Sequence, residues 1–193
     1  MAVKTAKGTK KKEGGAMPAA RPLFSALEKI VVNTGIGRLA TSNAHFEEKI
    51  LPEVISEFKA ITGQQPALRK ARASIAGFKL RQGTVVGMNA TLRGRRMRDF
   101  LERLNATVFP RVRDFRGIDP KTIDSTGNLT IGIKEHTSFP EIVPENSKVD
   151  FGLEVTIVPK IRRKEGAAAF YESLGIPLKK DKAVSAGSKN PKS

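Results

Sequence analysis

The residues best suited to do chemistry in this chain are cations. From Arg69 to Gly83 the sequence reads Arg-Lys-Ala-Arg-Ala-Ser-Ile-Ala-Gly-Phe-Lys-Leu-Arg-Gln-Gly. Five of these 15 residues are Lys or Arg, which can pair with phosphates. Ser74 and Gln82 can hydrogen-bond sugar or base edges. Gly77 and Gly83 let a backbone approach a ligand closely. Phe78 has two readings: it stacks on an unpaired base, or it packs back on the core with Ile75. A second block, Thr91-Leu-Arg-Gly-Arg-Arg-Met-Arg98, spans a strand end and a helix start. Backbone amides there add to the guanidinium forks in holding phosphate. The plainer reading is a solvated helix face with Arg/Asp pairs. Arg111, Arg113 and Arg116 form a weaker third patch.

Catalytic chemistry has little to stand on. Gly35-Ile-Gly37-Arg-Leu-Ala40 formally fits a dinucleotide fingerprint after a strand. That site needs a helix opening at the last glycine position and an acid ending a second parallel strand. Thr41-Ser-Asn43 instead reads as a loop, and Glu57 lies inside a helical pattern. The glycines read as a tight strand-end turn or as a place where backbone meets a phosphate or base. His45 and His136 are the only histidines and read as surface residues without metal-ligand spacing. No Walker-type loop or G-x-S-x-G elbow occurs, so the expectation is a non-enzyme with no cofactor and no metal.

Global composition agrees with the cationic blocks. There are 35 Lys+Arg against 19 Asp+Glu in 193 residues, a formal net charge of +16. Such an excess attracts polyanions, and nucleic acid is the expected one. A membrane is not expected, since no apolar run is long enough to span a bilayer. The start shows no secretory pattern, because its Lys-rich stretch leads into Gly-Gly. With no Cys, disulfides and thiolate chemistry are excluded, which fits a cytoplasmic protein. Hydrophobic residues at 39% suffice for a core.

The elements that position these residues alternate. Residues 1–22 and the tail from residue 179 read as disordered basic segments around one domain, 23–178. Residues 29–34 read as a strand, followed by helical spacing over 46–61 interrupted by Pro52 and closed by Gly63. A short strand at 66–71 leads into an exposed loop at 72–82. Residues 84–92, 128–134 and 149–157 alternate as half-buried strands. Met97, Phe100, Leu101, Leu104 and Val108 form a helical stripe, with Arg95/Asp99 and Arg98/Glu102 spaced to pair. A last helix is expected over 165–174, capped by Gly175. The fold class is α+β: a mainly antiparallel sheet with helices on one face, a long basic loop, and a second face free for a partner.

Six ordered blocks then carry a resemblance. Lys29-Ile-Val-Val-Asn-Thr-Gly-Ile-Gly37, Thr62-Gly-Gln-Gln-Pro66, Lys70 to Gly83, Thr91 to Met97, Pro110 to Gly117 and Phe139-Pro-Glu-Ile142 resemble the "L five" family of large-subunit ribosomal proteins, of bacterial type. The resemblance implies a ribosomal constituent of the central protuberance that binds 5S rRNA and also touches 23S rRNA. It implies contacts with peptidyl-site tRNA, with a small-subunit head protein across an intersubunit bridge, and with neighbouring large-subunit proteins. By motif, Asn33, Thr34, Gly35, Gly37, Gln64, Gln65, Thr91 and Arg93 become 5S rRNA candidates. Arg72, Ser74, Ile75, Ala76, Gly77, Phe78, Lys79 and Arg81 become the tRNA-contacting loop. Arg111, Arg113 and Arg116 become contacts to other rRNA or the bridge. The chain departs from the family pattern at its Lys-rich start, after which Arg21 to Leu27 leaves room for only a short helix. The alternative is a free RNA chaperone or translation regulator using the same surface.

Overall fold

The computed structural model describes residues 24–43, 45–145, 147–160, 163–164 and 166–179. The basic arm and nearly all of the basic tail expected from sequence lie outside those residues. Five strands build one sheet: β1 (Leu27–Gly35), β2 (Ala67–Lys70), β3 (Val85–Leu92), β4 (Leu129–Ile133) and β5 (Leu153–Pro159). Their order is β2-β3-β1-β5-β4 and every neighbouring pair is antiparallel. β1 is central because its β-branched run can pair on both sides.

Period-two alternation decides what each face does. Ile30 and Val32 point inward from β1, Met88, Ala90 and Leu92 from β3, Leu129, Ile131 and Ile133 from β4, and Leu153, Val155 and Ile157 from β5. They join a single buried cluster with the helices. α1 (Gly37–Ser42) is short. α2 (Leu51–Thr62) follows a π-helical turn, Phe46–Ile50, and contributes Val54, Phe58 and Ile61. α3 (Gly94–Arg103) continues through a second π-helical stretch, Leu104–Val108, and contributes Met97, Phe100 and Leu101. α4 (Ala167–Ser173) contributes Ala167 and Tyr171. Each fully buried Phe or Leu contributes roughly 1.5–3 kcal/mol of transfer free energy. The α+β class and its one-sided helix layer are thus as the sequence predicts.

Several boundaries differ from expectation, each for a visible reason. Thr41 and Ser42 end a helix rather than occupy a loop, because their hydroxyls donate back to the carbonyls of Gly37 and Arg38. Pro52 sits in the first turn of α2, where its missing N–H is harmless. Residues 149–152 alternate but pair with no strand: Phe151 is buried against the His136 ring instead. The ladder starts only at Leu153 and runs to Pro159. Gly63 and Gly175 take left-handed conformations after α2 and α4, as their predicted capping role requires. Arg95 and Asp99 pair at 3.6 Å, whereas Arg98 and Glu102 form no ion pair among the described residues.

His136 corrects a sequence expectation. It is fully buried rather than a surface residue, since its polar atoms find partners inside. His45 stays exposed beside Glu48, at 3.6 Å.

Candidate nucleic-acid interface

Among the described residues no helix covers the sheet's second face, and its side chains form rows across the strands. One row runs Ala67–Asn89–Asn33–Glu154–Gly132 through all five strands. The next runs Thr91–Val31–Thr156–Thr130. A third places Arg69 opposite Gly87 and Gly87 opposite Gly35. Except for Val31 and Ala67, these side chains are polar, charged or absent. Such a surface suits a partially hydrated partner rich in hydrogen-bonding groups, and RNA has that character.

Hydrogen bonds hold this face in shape. Asn33 Nδ2 donates to Glu154 Oε1 at 3.3 Å, and Arg69 Nε donates to Asn89 Oδ1 at 3.1 Å. Gln64 Nε2 donates to the Thr91 carbonyl at 3.1 Å, while Arg96 Nη1 reaches Gln64 Oε1 at 3.5 Å. Gln64 is therefore oriented against the end of β3 and one edge of α3. Arg93 stands at the N-cap of α3 with an extended backbone, and no side chain caps that helix start. No acid occupies its first turn. Uncapped amides, Arg93 and Arg96 thus mark an anion-attracting corner at the start of α3, while Arg95 pairs with Asp99.

The structure sorts the residues singled out in the sequence. Asn33 lies on the open face, and Gly35, Gln65, Thr91 and Arg93 are solvent-accessible around it. Thr34 does not present its side chain there: it is buried, and its hydroxyl donates to the Gly152 carbonyl at 2.8 Å. Gly37 opens α1, where an added Cβ would only touch Val86, at 3.7 Å. The dinucleotide fingerprint fails in context, because the sheet contains no parallel pair. Sequence reasoning counted Arg69 only as a cation of the loop, and it missed Asn89, Glu154 and Thr156 as members of this face. Strand register, which a single sequence does not specify, would have revealed them.

The long loop extends from the edge of the sheet, and Ile75 and Phe78 line a cleft with Gly37, Arg38 and Val86. Residues 72–79 are all exposed, and Ala71 exchanges backbone hydrogen bonds with Gly83 and Thr84 at its base. Its tip is ordered by a bridge between Ile75 and Leu80 around a 3-10 turn, Ala76–Phe78. Ser74 Oγ accepts from Gln82 N–H at 2.9 Å, closing the loop from within. Phe78 is 73% exposed and Ile75 47% exposed, so neither packs back on the core. Arg111, Arg113 and Arg116 are exposed around the turn after α3, and the last two line a cleft with Lys134 and Lys179.

A polar sheet face thus lies beside a long cationic loop. The family described as ribosomal protein L5 matches residues 25–81, and the model of that ribosomal family's C-terminus matches residues 85–178. The chain belongs to the ribosomal protein L5 family. Among its relatives is the large ribosomal subunit protein uL5 of Anaeromyxobacter sp. (strain Fw109-5), 45% identical over 79% of this chain and 82% of the relative. The protein of the same name from Lacticaseibacillus casei (strain BL23) is 46% identical over 80% and 83%. That from Syntrophomonas wolfei subsp. wolfei is 45% identical over 79% and 83%. As a member of this family the protein is an rRNA-binding constituent of the large ribosomal subunit, at work in translation. Its place is the ribosome, which in bacteria is cytoplasmic.

Proposed function

We propose that this protein binds 5S rRNA through the open sheet face and the β3–α3 corner, and helps attach it to 23S rRNA in the central protuberance. The observation that carries this reading is the Gln64–Thr91–Arg96 network beside the uncapped start of α3. It places oriented amides and guanidinium groups next to a helix-free face of Asn and Thr side chains. Phosphate contacts from such a corner fix register, while amide and hydroxyl groups on the sheet meet sugars and bases. The exposed loop around Phe78 then serves peptidyl-site tRNA. Arg111, Arg113 and Arg116 serve further rRNA or the bridge to the small-subunit head.

Two measurements test this. Filter binding should give saturable affinity for purified 5S rRNA above that for an unrelated RNA of equal length. Sedimentation in a high-salt gradient should place the protein with large subunits. A wholly free pool would instead favour an RNA chaperone or regulator, and equal affinity for both RNAs would sink the 5S assignment.

A further inference from the structure

One feature of the open face runs against its charge. Glu154 projects from β5 into the middle of a surface otherwise furnished with Asn, Thr and Arg. It is exposed, and among the described residues no Lys, Arg or His lies within ion-pair distance of it. Its hydrogen-bond partner is an amide, Asn33, directly opposite on β1. A carboxylate so placed repels phosphate, so the RNA backbone does not belong at this spot. What a carboxylate accepts is a donor edge.

We propose that Glu154, oriented by Asn33, accepts the amine edge of a guanine in the bound RNA. This rests on the rRNA-binding reading of the same face. Guanine offers two adjacent donors, N1–H and the 2-amino group, or the 2-amino group alone from the minor groove of a helix. Both presentations share the 2-amino donor. The Asn33 hydrogen bond occupies Glu154 Oε1 from one side and leaves Oε2 for that donor. On the other flank, Gly132 of β4 is the direct neighbour of Glu154. Cβ atoms added at Gly132 or Gly35 would meet nothing within 4 Å, so space beside the carboxylate is open. Gly35, Gly132, Gly152, Asn33 and Lys134 line a depression here of about 390 Å³. Lys134 supplies a cation at its border for the adjoining phosphate or for guanine O6.

The test is a change of sign. If Glu154 is only a solvated acid, Glu154→Gln removes repulsion and binding to rRNA tightens. If it holds a guanine amine, Glu154→Gln weakens binding about tenfold with an unchanged salt slope. Full-length wild type and variant are titrated against purified 5S rRNA over a salt series, with thermal unfolding confirming an intact fold. Transcripts carrying inosine for guanosine lack the 2-amino group but keep N1–H, and on them the gap between the two proteins should shrink well below tenfold. Unchanged or tighter binding by the variant overturns the inference, as would follow if a neighbouring protein's cation were the real partner. A tenfold gap that persists on inosine RNA overturns the guanine assignment. Wild-type protein that ignores 5S rRNA but binds 23S rRNA would instead refute the 5S reading, and the Glu154→Gln comparison then decides the inference on 23S rRNA. Failure to bind either RNA overturns both.

Discussion

Oε2 of Glu57 lies 3.2 Å from Nε2 of His136 in the interior of the fold. Ser147 Oγ lies 3.0 Å from the same nitrogen, and the Phe151 N–H reaches Nδ1 at 3.5 Å. Nδ1 therefore accepts, and the Nε2 proton goes to Ser147 Oγ, which donates onward to the Val149 carbonyl. The nearby Glu57 Oε2 is buried with no hydrogen bond of its own among the described residues. The imidazole also stacks on Phe151 with ring centroids 4.1 Å apart. One side chain thus fastens the 136–151 segment to α2. A second tie, from Arg103 to Glu141, fastens the same segment to the end of α3. His136→Ala should lower stability by about 1–3 kcal/mol, because the Phe151 N–H and the Ser147 hydroxyl lose their buried partner. Urea unfolding checks this, and a loss below a few tenths of a kcal/mol would show the tie to be idle.

The Tyr171 hydroxyl gives a second, pH-dependent prediction. It is buried and donates to the carbonyls of Gly127 at 2.7 Å and Ile157 at 3.2 Å. Burial pushes its pKa well above the ordinary 10.0. A raised folded-state pKa means the contribution is complete below the unfolded value and lost as pH rises past it. Stability should therefore decline above about pH 10 as unfolded tyrosine ionises. Tyr171→Phe should cost about 1–2 kcal/mol at neutral pH and flatten the alkaline decline. Thermal melts of both proteins between neutral and alkaline pH read the two effects; parallel curves would refute the second.

These two ties mark where the sequence stops being legible. Strands β1 and β3, the α3 stripe and both glycine caps are readable because local periodicity and turn chemistry determine them. Basic residues at 69–98 are readable because charge needs no fold to be counted. Burial of His136 is not, since its partners Glu57 and Ser147 sit 79 and 11 positions away. The row Asn89–Asn33–Glu154 is hidden for the same reason: three strands far apart in sequence meet only through register. Thr34 illustrates the reverse error, where a motif position suggests a contact while alternation turns its side chain inward. Motifs name neighbourhoods; the pleat decides which side chains face out.

Arg93 tests the corner at the start of α3. It is exposed at the uncapped start of α3. Arg93→Glu exchanges attraction for repulsion toward phosphate. Affinity for 5S rRNA should fall, and each lost phosphate contact should flatten the log–log salt slope by roughly 0.9. Filter binding at several salt concentrations gives both numbers. An unchanged slope with unchanged affinity would remove Arg93 from the interface.

The loop should separate from 5S rRNA binding altogether. Backbone hydrogen bonds join it to the sheet at Ala71, Gly83 and Thr84, and its tip residues Ile75 and Phe78 line a cleft with Val86 and α1. Removing residues 74–80 deletes no core side chain, so the melting temperature should hold and 5S rRNA affinity should stay within about twofold. Placement of tRNA on reconstituted subunits should suffer. Phe78→Ala isolates the aromatic part: a base stacked on the ring is worth about 1–3 kcal/mol, so tRNA affinity should fall roughly five- to 150-fold. Leaving the loop's cations in place, this variant keeps the salt dependence. If Phe78→Ala leaves tRNA binding intact while replacing Lys79 and Arg81 weakens it, the loop acts through charge alone and the ring does not stack. If the deletion abolishes 5S rRNA binding with the fold intact, the loop and the sheet face form one site, and the division between them is wrong.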